Sequence, residues 1–461
     1  MTKRTHEIRD PIHTFIRLDT SEREVVDTPA VQRLRHIHQL AMSHLVYPGA
    51  THRRFEHSLG VMELAGRVFD VVTLPENIYH ESVRGIVPKR GEIEYGYWRR
   101  VLRMAALCHD VGHLPFSHAA EHELLPAGWD HERLTVSILR GVTMEKLWNE
   151  IQKPPLNSLD IVKLAVGPKK CAAYAKSGAL PEEAAKFTDW ESILAEIIVG
   201  DAFGVDRMDY LLRDSYHAGV AYGRFDYHRL IDTMRILPKS YEQESKEPAL
   251  GVEEGGLHSA ESLLLARYFM YTQVYFHPIR RIYDVHLRDF LAAWLKDRRE
   301  DGRFSTAIDD HLRVTDNEVM AAILEAARDS AKPGHDPARR IVQRDHFHRA
   351  YQWNPVDAKE NPAATDLVWD AARSKFGAER VRRDRRPAKS EGVDFPVITD
   401  DHRVASSREL SETLQRIPAA AFDFVFVDGA VADEAKTWLQ KNRETIIRPP
   451  AKEEADEPTS A

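Results

Sequence analysis

Trp98-Arg99-Arg100-Val101-Leu102-Arg103-Met104-Ala105-Ala106-Leu107-Cys108-His109-Asp110-Val111-Gly112-His113 runs from an apolar segment directly into a pair of metal-ligating side chains. Val101, Leu102, Ala105 and Ala106 recur at helical spacing, which predicts a buried helix that ends by delivering His109 and Asp110. Adjacent helical residues point ~100° apart, so both reach one ion only if it lies over the helix edge or end. Other helices must then bring further donors, and a helical bundle with an ion between facing helices meets that demand. The candidate partners are His57, in Arg53-Arg54-Phe55-Glu56-His57-Ser58-Leu59-Gly60, and Asp206, in Val205-Asp206-Arg207-Met208-Asp209-Tyr210. Two imidazoles and two carboxylates suit Mn, Fe, Zn or Mg better than a thiophilic ion. Such an ion acidifies water and polarises a phosphoryl oxygen, which points to phosphate-ester hydrolysis. Taken singly, each of these residues is more often a helix cap or a surface pair. Their joint order carries the reading.

Composition narrows the partners. In 461 residues, 64 Lys and Arg stand against 72 Asp and Glu, a net charge of −8, so the protein as a whole has no general attraction for nucleic acid or anionic membrane. The two cysteines, Cys108 and Cys171, argue against a disulfide framework and fit a reducing compartment. Cys108 reads as a small core residue. The N-terminus has no apolar signal region and no apolar run reaches spanning length, so a soluble, cytoplasmic protein without a membrane partner is expected.

Residues from about 20 to 300 read as mainly helical. Asp27-Thr28-Pro29 resembles a helix start, with a capping residue followed by proline in the first turn. Val31, Leu34 and Ile37 line one face beyond it, and residues 55–72 form a second helix with His57 near its start. Residues 85–96 read as an exposed loop, Ile193 to Asp214 as one helix carrying Asp206, and 257–297 as a long helical stretch interrupted at His277-Pro278. The fold class expected is mostly α, a helical bundle with an appended smaller α+β C-terminal region. Its divisions fall at 1–300 (core about 27–295), 301–448, and a disordered acidic tail over 449–461. Within the second, Phe422 to Asp428 alternates apolar and acidic residues as a half-buried strand does, and a short helix follows from Asp433 to Arg443.

Several segments together carry a family resemblance. They are Asp10-Pro11-Ile12-His13, Asp27-Thr28-Pro29, Gln32-Arg33-Leu34-Arg35, Gln39-Leu40, Tyr47-Pro48-Gly49-Ala50-Thr51-His52, Arg54 to Val61 and His109 to His118. With the order His57, His109-Asp110, Asp206, they resemble the HD-domain deoxynucleoside triphosphate triphosphohydrolases, the human antiviral enzyme and its bacterial relatives among them. The resemblance covers residues 7 to about 295. It implies an HD-domain bundle holding one divalent transition metal per subunit (Mn, Fe or Zn) on His57, His109, Asp110 and Asp206, with Mg accompanying the substrate triphosphate. It also implies attack of water at the α-phosphorus of a dNTP, giving a deoxynucleoside and intact inorganic triphosphate.

The same resemblance assigns neighbouring residues. His118, His131 and Glu121 match the family's catalytic set, with Glu121 where the human enzyme has aspartate. His113 is either a further acid or a residue supporting the ligands. A histidine titrating near neutrality suits protonation of the leaving oxygen. Arg54 and Arg207 are expected to bind phosphate, Arg207 standing where the human enzyme has lysine. Gln39 and Asp214 match residues holding the 3′-hydroxyl, and Leu40 and Tyr210 those crowding the 2′ position. Arg267 and Tyr275 match phosphate and base contacts, and Tyr271 replaces a histidine there. Without the family match, Leu40, Tyr210 and Tyr275 read as core packing. Asp27, Gln32 and Arg35 resemble a recognition set for a GTP or dGTP activator; alone they read as a cap and two exposed helix residues. A homo-oligomer, often a tetramer among active relatives, is the implied assembly.

The run Arg380, Arg382, Arg383, Arg385, Arg386 and Lys389 reads as a solvated loop or an interface arm; with few aromatics nearby, single-stranded nucleic acid is the weaker reading. Two alternatives to a dNTP triphosphohydrolase remain at this stage: an HD phosphohydrolase acting on another nucleotide, and a nucleotide- or nucleic-acid-binding regulator with a structural metal.

Overall fold

The structure, a computed structural model, describes residues 5–117, 121–150, 153–239, 247–388 and 392–448. His118, Lys389 and the tail 449–461 therefore lie outside the described residues. The chain is about 60% helical, with small sheets, as the composition of its segments predicts. No helix among the described residues is long and apolar enough to cross a membrane.

Thr28 accepts from the Val31 amide and Pro29 occupies the first turn, so the predicted start at Asp27-Thr28-Pro29 is a real one. The His57 helix, Arg54–Val72, packs along Ile93–Cys108, and Val205–Ala218 packs against its other side. Their apolar faces meet in one large core containing Leu59, Met62, Leu102, Ala106 and Met208. The predicted loop over 85–96 is shorter than expected, because helix starts at Ile93.

The helix expected from Ile193 to Asp214 is two helices, Asp189–Val199 and Val205–Ala218. Gly200 turns extended (φ −58, ψ 143), where a Cβ would meet the Glu196 carbonyl oxygen at 2.4 Å. The apolar periodicity continues through the break, which is why sequence alone runs the two together. The consequence is functional: Asp206 falls in the first turn of its helix, where unpaired amides favour an anion.

C-terminal residues return to the bundle. Pro396–Ile398 pairs in parallel with Pro248–Glu253, completing a four-stranded sheet with Met234–Pro238 and Val404–Ser406. A second sheet has Phe422–Val427 between His348–Gln352 and Val381–Arg386, all antiparallel. Its central strand is buried on both faces rather than one. Phe422, Phe424 and Phe426 pack with Phe276 and Phe347, while Val425 and Val427 pack under the Ala364–Phe376 and Ala432–Ile447 helices. Asp423 sits among them because Arg383 clamps it at 2.9 and 2.6 Å.

That clamp corrects the reading of the arginine run. Val381–Arg386 is an edge strand, not a solvated loop, and Asp366 and Asp423 hold Arg383 while Asp384 receives Arg281. Period-two alternation is hard to see when one residue type fills both faces.

Glu196 gives the fold a pH dependence. On the Asp189–Val199 helix it accepts from the Leu250 amide at 3.0 Å, and burial raises its carboxyl to about 7. An acid whose folded pKa lies above its unfolded value stabilises fully below the unfolded pKa, near 4.3, and that contribution is lost as pH rises through the folded one. Glu196→Gln keeps the acceptor and removes the charge. Its melting temperature should match wild type at pH 4.5 and exceed it at pH 8, by about 2 kcal/mol of stability. Parallel melting curves across that range would count against the assignment.

Candidate functional site

Four side chains from three helices converge at one place. His57 stands one turn into its helix, His109 caps the C-terminus of Ile93–Cys108, Asp110 follows it, and Asp206 faces them from the third helix. His57 Nε2 lies 3.1 Å from Asp206 Oδ1 and 3.8 Å from Asp110 Oδ2; His109 Nε2 lies 3.3 Å from Asp110 Oδ1 and 3.5 Å from Asp206 Oδ1. Donors ~2.1 Å from a shared ion at tetrahedral or octahedral angles sit about 3.0–3.4 Å apart. Two of these separations lie in that range and the other two, 3.5 and 3.8 Å, lie just beyond it, so His57, His109 and Asp110 are placed to share a cation with Asp206 close to two of them.

The orientation of the imidazoles fits as well. His57 donates Nδ1–H to Asp209 at 2.8 Å, and His109 donates Nδ1–H to the Ala106 carbonyl at 2.8 Å. Each ring thus aims its Nε2 at the others. His109 Nε2 is buried and has no hydrogen-bond partner among the described residues, an arrangement that costs free energy unless a cation uses the lone pair. His57, His109 and Asp110 form a group able to hold a metal ion.

Two glycines let the helices approach this closely. A Cβ at Gly60 would lie 1.9 Å from Asp209 Oδ1, and one at Gly112 would lie 2.1 Å from the His131 carbonyl. Gly112 also donates its amide to Thr135 Oγ1 at 3.0 Å, docking the His-Asp turn on the His131–Leu139 helix.

Beside the cluster lies a pair of stacked imidazoles, His113 and His131, with centroids 4.0 Å apart. Burial, helped by the charges of Arg54 and His131, holds His113 well below the ordinary histidine range. Burial also opposes charge on His131, but the hydrogen bond and charge of Glu121 outweigh it and raise its pKa. Glu121 Oε1 accepts from both the His131 amide (2.7 Å) and Nδ1 (2.6 Å). The longer acid therefore reaches its histidine.

Arg54 is buried, bonded to Asp110 and donating to Ser117 at 2.9 Å. Arg207 and Arg267 both donate to the Asp201 carbonyl, and Arg207 also to Gly200 at 2.9 Å. Burial, then the Arg207 charge, lowers the Arg267 pKa, the mark of two like charges side by side. Among the described residues, the nearest carboxylate paired with Arg207 is that of Asp201, which stands 3.9 Å away and is exposed. Tyr271 lies 5.9 Å from the Arg267 guanidinium and edges onto Tyr275, whose ring also meets Tyr210. Tyr275 donates to Asp214 Oδ2 at 2.7 Å, and His52 donates to Oδ1 at 2.7 Å. Gln39 joins through its amide to the His52 carbonyl at 3.1 Å, with its Oε1 buried, and Leu40 is buried beside it.

Asp27, Gln32 and Arg35 form a separate surface group. Arg35 donates to Gln32 at 2.8 Å and lies 3.5 Å over the Phe55 ring, and Asp27 pairs with Arg23 at 3.4 Å.

Sequence reasoning misses four supports: Asp209, Arg213, His52 and Asp316. Asp209 carries a signal, standing three residues after Asp206 on the same helical face. Asp316 carries none. Its Oδ1 accepts from the Phe116 amide at 2.7 Å, while Oδ2 takes the His38 amide at 2.7 Å and His38 Nδ1 at 2.6 Å. It so braces the segments ending in Ser117 and leading to Gln39. Phe116 and Ser117 hold positive φ of 54° and 60° there, a strained turn of the kind found at functional sites.

Residues 54–153 match a family model described as the HD domain, and residues 225–374 one described as the HD associated region. An uncharacterised protein of Methanocaldococcus jannaschii is 32% identical over 321 residues, 68% of this chain and 57% of that one. Deoxynucleoside triphosphate triphosphohydrolase SAMHD1 of Homo sapiens is 30% identical over 376 residues, 76% of this chain and 55% of that one. The chain thus spans just over half the length of these curated relatives. A crystal structure of a hypothetical protein from Aquifex aeolicus matches with a TM-score of 0.72 at 28% identity, covering 94% of this chain and 100% of that one.

Proposed function

Because the chain belongs to the HD-domain proteins, with an HD-associated region and homology to SAMHD1 at about 30% identity, we propose that it is a metal-dependent dNTP triphosphohydrolase. The observation that carries this reading is the convergence of His57, His109, Asp110 and Asp206 in the same bundle that carries the Arg207–Arg267 pair. A divalent ion on those four ligands supplies Lewis-acid polarisation of a phosphoryl oxygen and acidifies water.

The chain's own groups do the rest. Arg207 and Arg267, adjacent and without a close carboxylate fork, attract a polyphosphate. Water adds to the α-phosphorus, the bond from phosphorus to the 5′ oxygen breaks, and His131, charged by Glu121, supplies that oxygen's proton. Asp214, fixed by His52 and Tyr275, accepts from the 3′-hydroxyl, and Gln39 offers a second polar contact. Leu40 and Tyr210 crowd a 2′-hydroxyl, which disfavours ribonucleotides. Tyr271 shapes the base end. His118 is assigned by resemblance to the same acid–base group. Asp27, Gln32 and Arg35 are proposed to read a guanine nucleotide, the carboxylate accepting from N1–H and the exocyclic amine.

The test is a panel of dNTPs and NTPs with Mn²⁺, with and without GTP, resolved for nucleoside and triphosphate. Deoxynucleoside plus intact triphosphate is the expected product pair, with any GTP dependence lost in Asp27→Ala. Stepwise release of phosphate or pyrophosphate would move the assignment to another nucleotide phosphohydrolase.

A further inference from the structure

We propose that His13, on the turn of the N-terminal hairpin, is a positioning residue for the metal ligand His57, acting through Asp209. The inference rests on reading His57 as a ligand, and adds to it a residue distant in sequence.

Residues 11–13 join two strands, Thr5–Asp10 and Thr14–Asp19, and a hairpin turn of this kind ordinarily lies in solvent. This one does not. His13 is 3% exposed and Asp10 is 4% exposed. Asp10 Oδ1 accepts from the amides of Ile12 (2.9 Å) and His13 (2.8 Å), which sets the turn, and Oδ2 takes Arg213 Nη1 at 2.8 Å. The turn is thereby fastened to the Val205–Ala218 helix, with the His13 ring directed inward.

At its inner end, His13 Nε2 donates to Asp209 Oδ1 at 2.7 Å. Arg213 donates to the same carboxylate from Nη2 (2.9 Å) and Nε (2.8 Å), and His57 Nδ1 completes it at 2.8 Å. Asp209 is fully buried and receives four hydrogen bonds, two on each oxygen. A carboxylate with both oxygens filled from opposite sides cannot rotate. It therefore fixes which His57 nitrogen carries hydrogen and where the ring plane lies. Removing His13 leaves Oδ1 with Arg213 Nη2 alone, so the carboxylate keeps only the Arg213 fork and His57 and its plane is less firmly fixed. Asp209 is such a direct partner of the ligand, and losing one typically alters metal affinity by about 10–100-fold; His13 acts one bond further out, at the lower end of that range.

The experiment is titration of chelator-treated full-length protein with Co²⁺, following visible absorption and heat, alongside the melting temperature of the metal-free protein. His13→Leu keeps bulk and removes the donor; His13→Gln restores a donor at nearly the position of Nε2. The expected result is affinity weakened at least tenfold in His13→Leu and recovered to within about threefold in His13→Gln, with a changed Co²⁺ spectrum only in the former. Should His13→Leu not fold, His13→Asn, too short to reach Asp209, takes its place. Unchanged affinity and spectrum in the donor-less variant overturn the proposal, as does equal loss in His13→Gln, which would mark mere packing. His109→Ala separates the two readings. If wild type binds Co²⁺ and His109→Ala does not, the ligand reading stands whatever His13 does; if wild type binds none, both fall.

Discussion

His109→Ala should release triphosphate from a dNTP about a thousandfold more slowly than wild type while remaining folded. The imidazole hydrogen-bonds from Nδ1 to Ala106, and its buried Nε2 makes no hydrogen bond among the described residues, although the Asp110 and Asp206 carboxylates lie 3.3 and 3.5 Å away. Removing it therefore leaves little for the fold to lose. On the proposed reading, what disappears is one of four ligands and with it firm placement of the cation, which is worth several kcal/mol of transition-state charge stabilisation. At 1.36 kcal/mol per decade, ~4 kcal/mol is about three decades of rate. Initial rates at saturating Mn²⁺, with metal content measured on the same samples, check both halves. Retention of more than a tenth of wild-type activity would remove His109 from the ligand set.

The largest stability effect is expected at Gly60→Ala. The added methyl would sit 1.9 Å from Asp209 Oδ1 and 2.5 Å from Arg213 Nη2, two groups with no exposed route of retreat. Either the His57 helix moves away or the Asp209–Arg213 pair breaks, and disrupting a buried ion pair costs about 3–5 kcal/mol. A melting temperature lower by roughly 10 °C is the expected readout. Gly96→Ala is the control. It lies within the Ile93–Cys108 helix with nothing within 4 Å of the new Cβ, so it should stabilise by about 0.5–1 kcal/mol. Equal melting temperatures for Gly60→Ala and wild type would mean that the helices are not held this close in solution.

Local chemistry is what the sequence makes legible. The helix start at Thr28-Pro29, the buried run before His109 and the break at His277-Pro278 all follow from propensity, capping and periodicity. Where residue type masks pattern, legibility fails. Gly200 to Gly204 interrupts an apolar periodicity that continues on both sides, and the arginines of Val381–Arg386 hide a strand. The ligand candidates are visible because imidazole and carboxylate are chemically distinctive. Their supports are not, since Asp209, Arg213 and Asp316 are ordinary charged residues until the fold places them among partners far away in the chain. Gly60 belongs with them: the demand for a missing side chain comes from another helix.

The brace at Asp316 has a consequence in time. Its bonds to His38 and Phe116 span 278 and 200 residues. All four donors have been translated once Asp206 is made, yet the flanks of the site stay unbraced until Asp316 emerges. At ~5–20 residues per second, that interval is roughly 5–20 s. During that interval the four candidate ligands are present in the nascent chain while the segments at His38 and Phe116 still lack the carboxylate that ties them together.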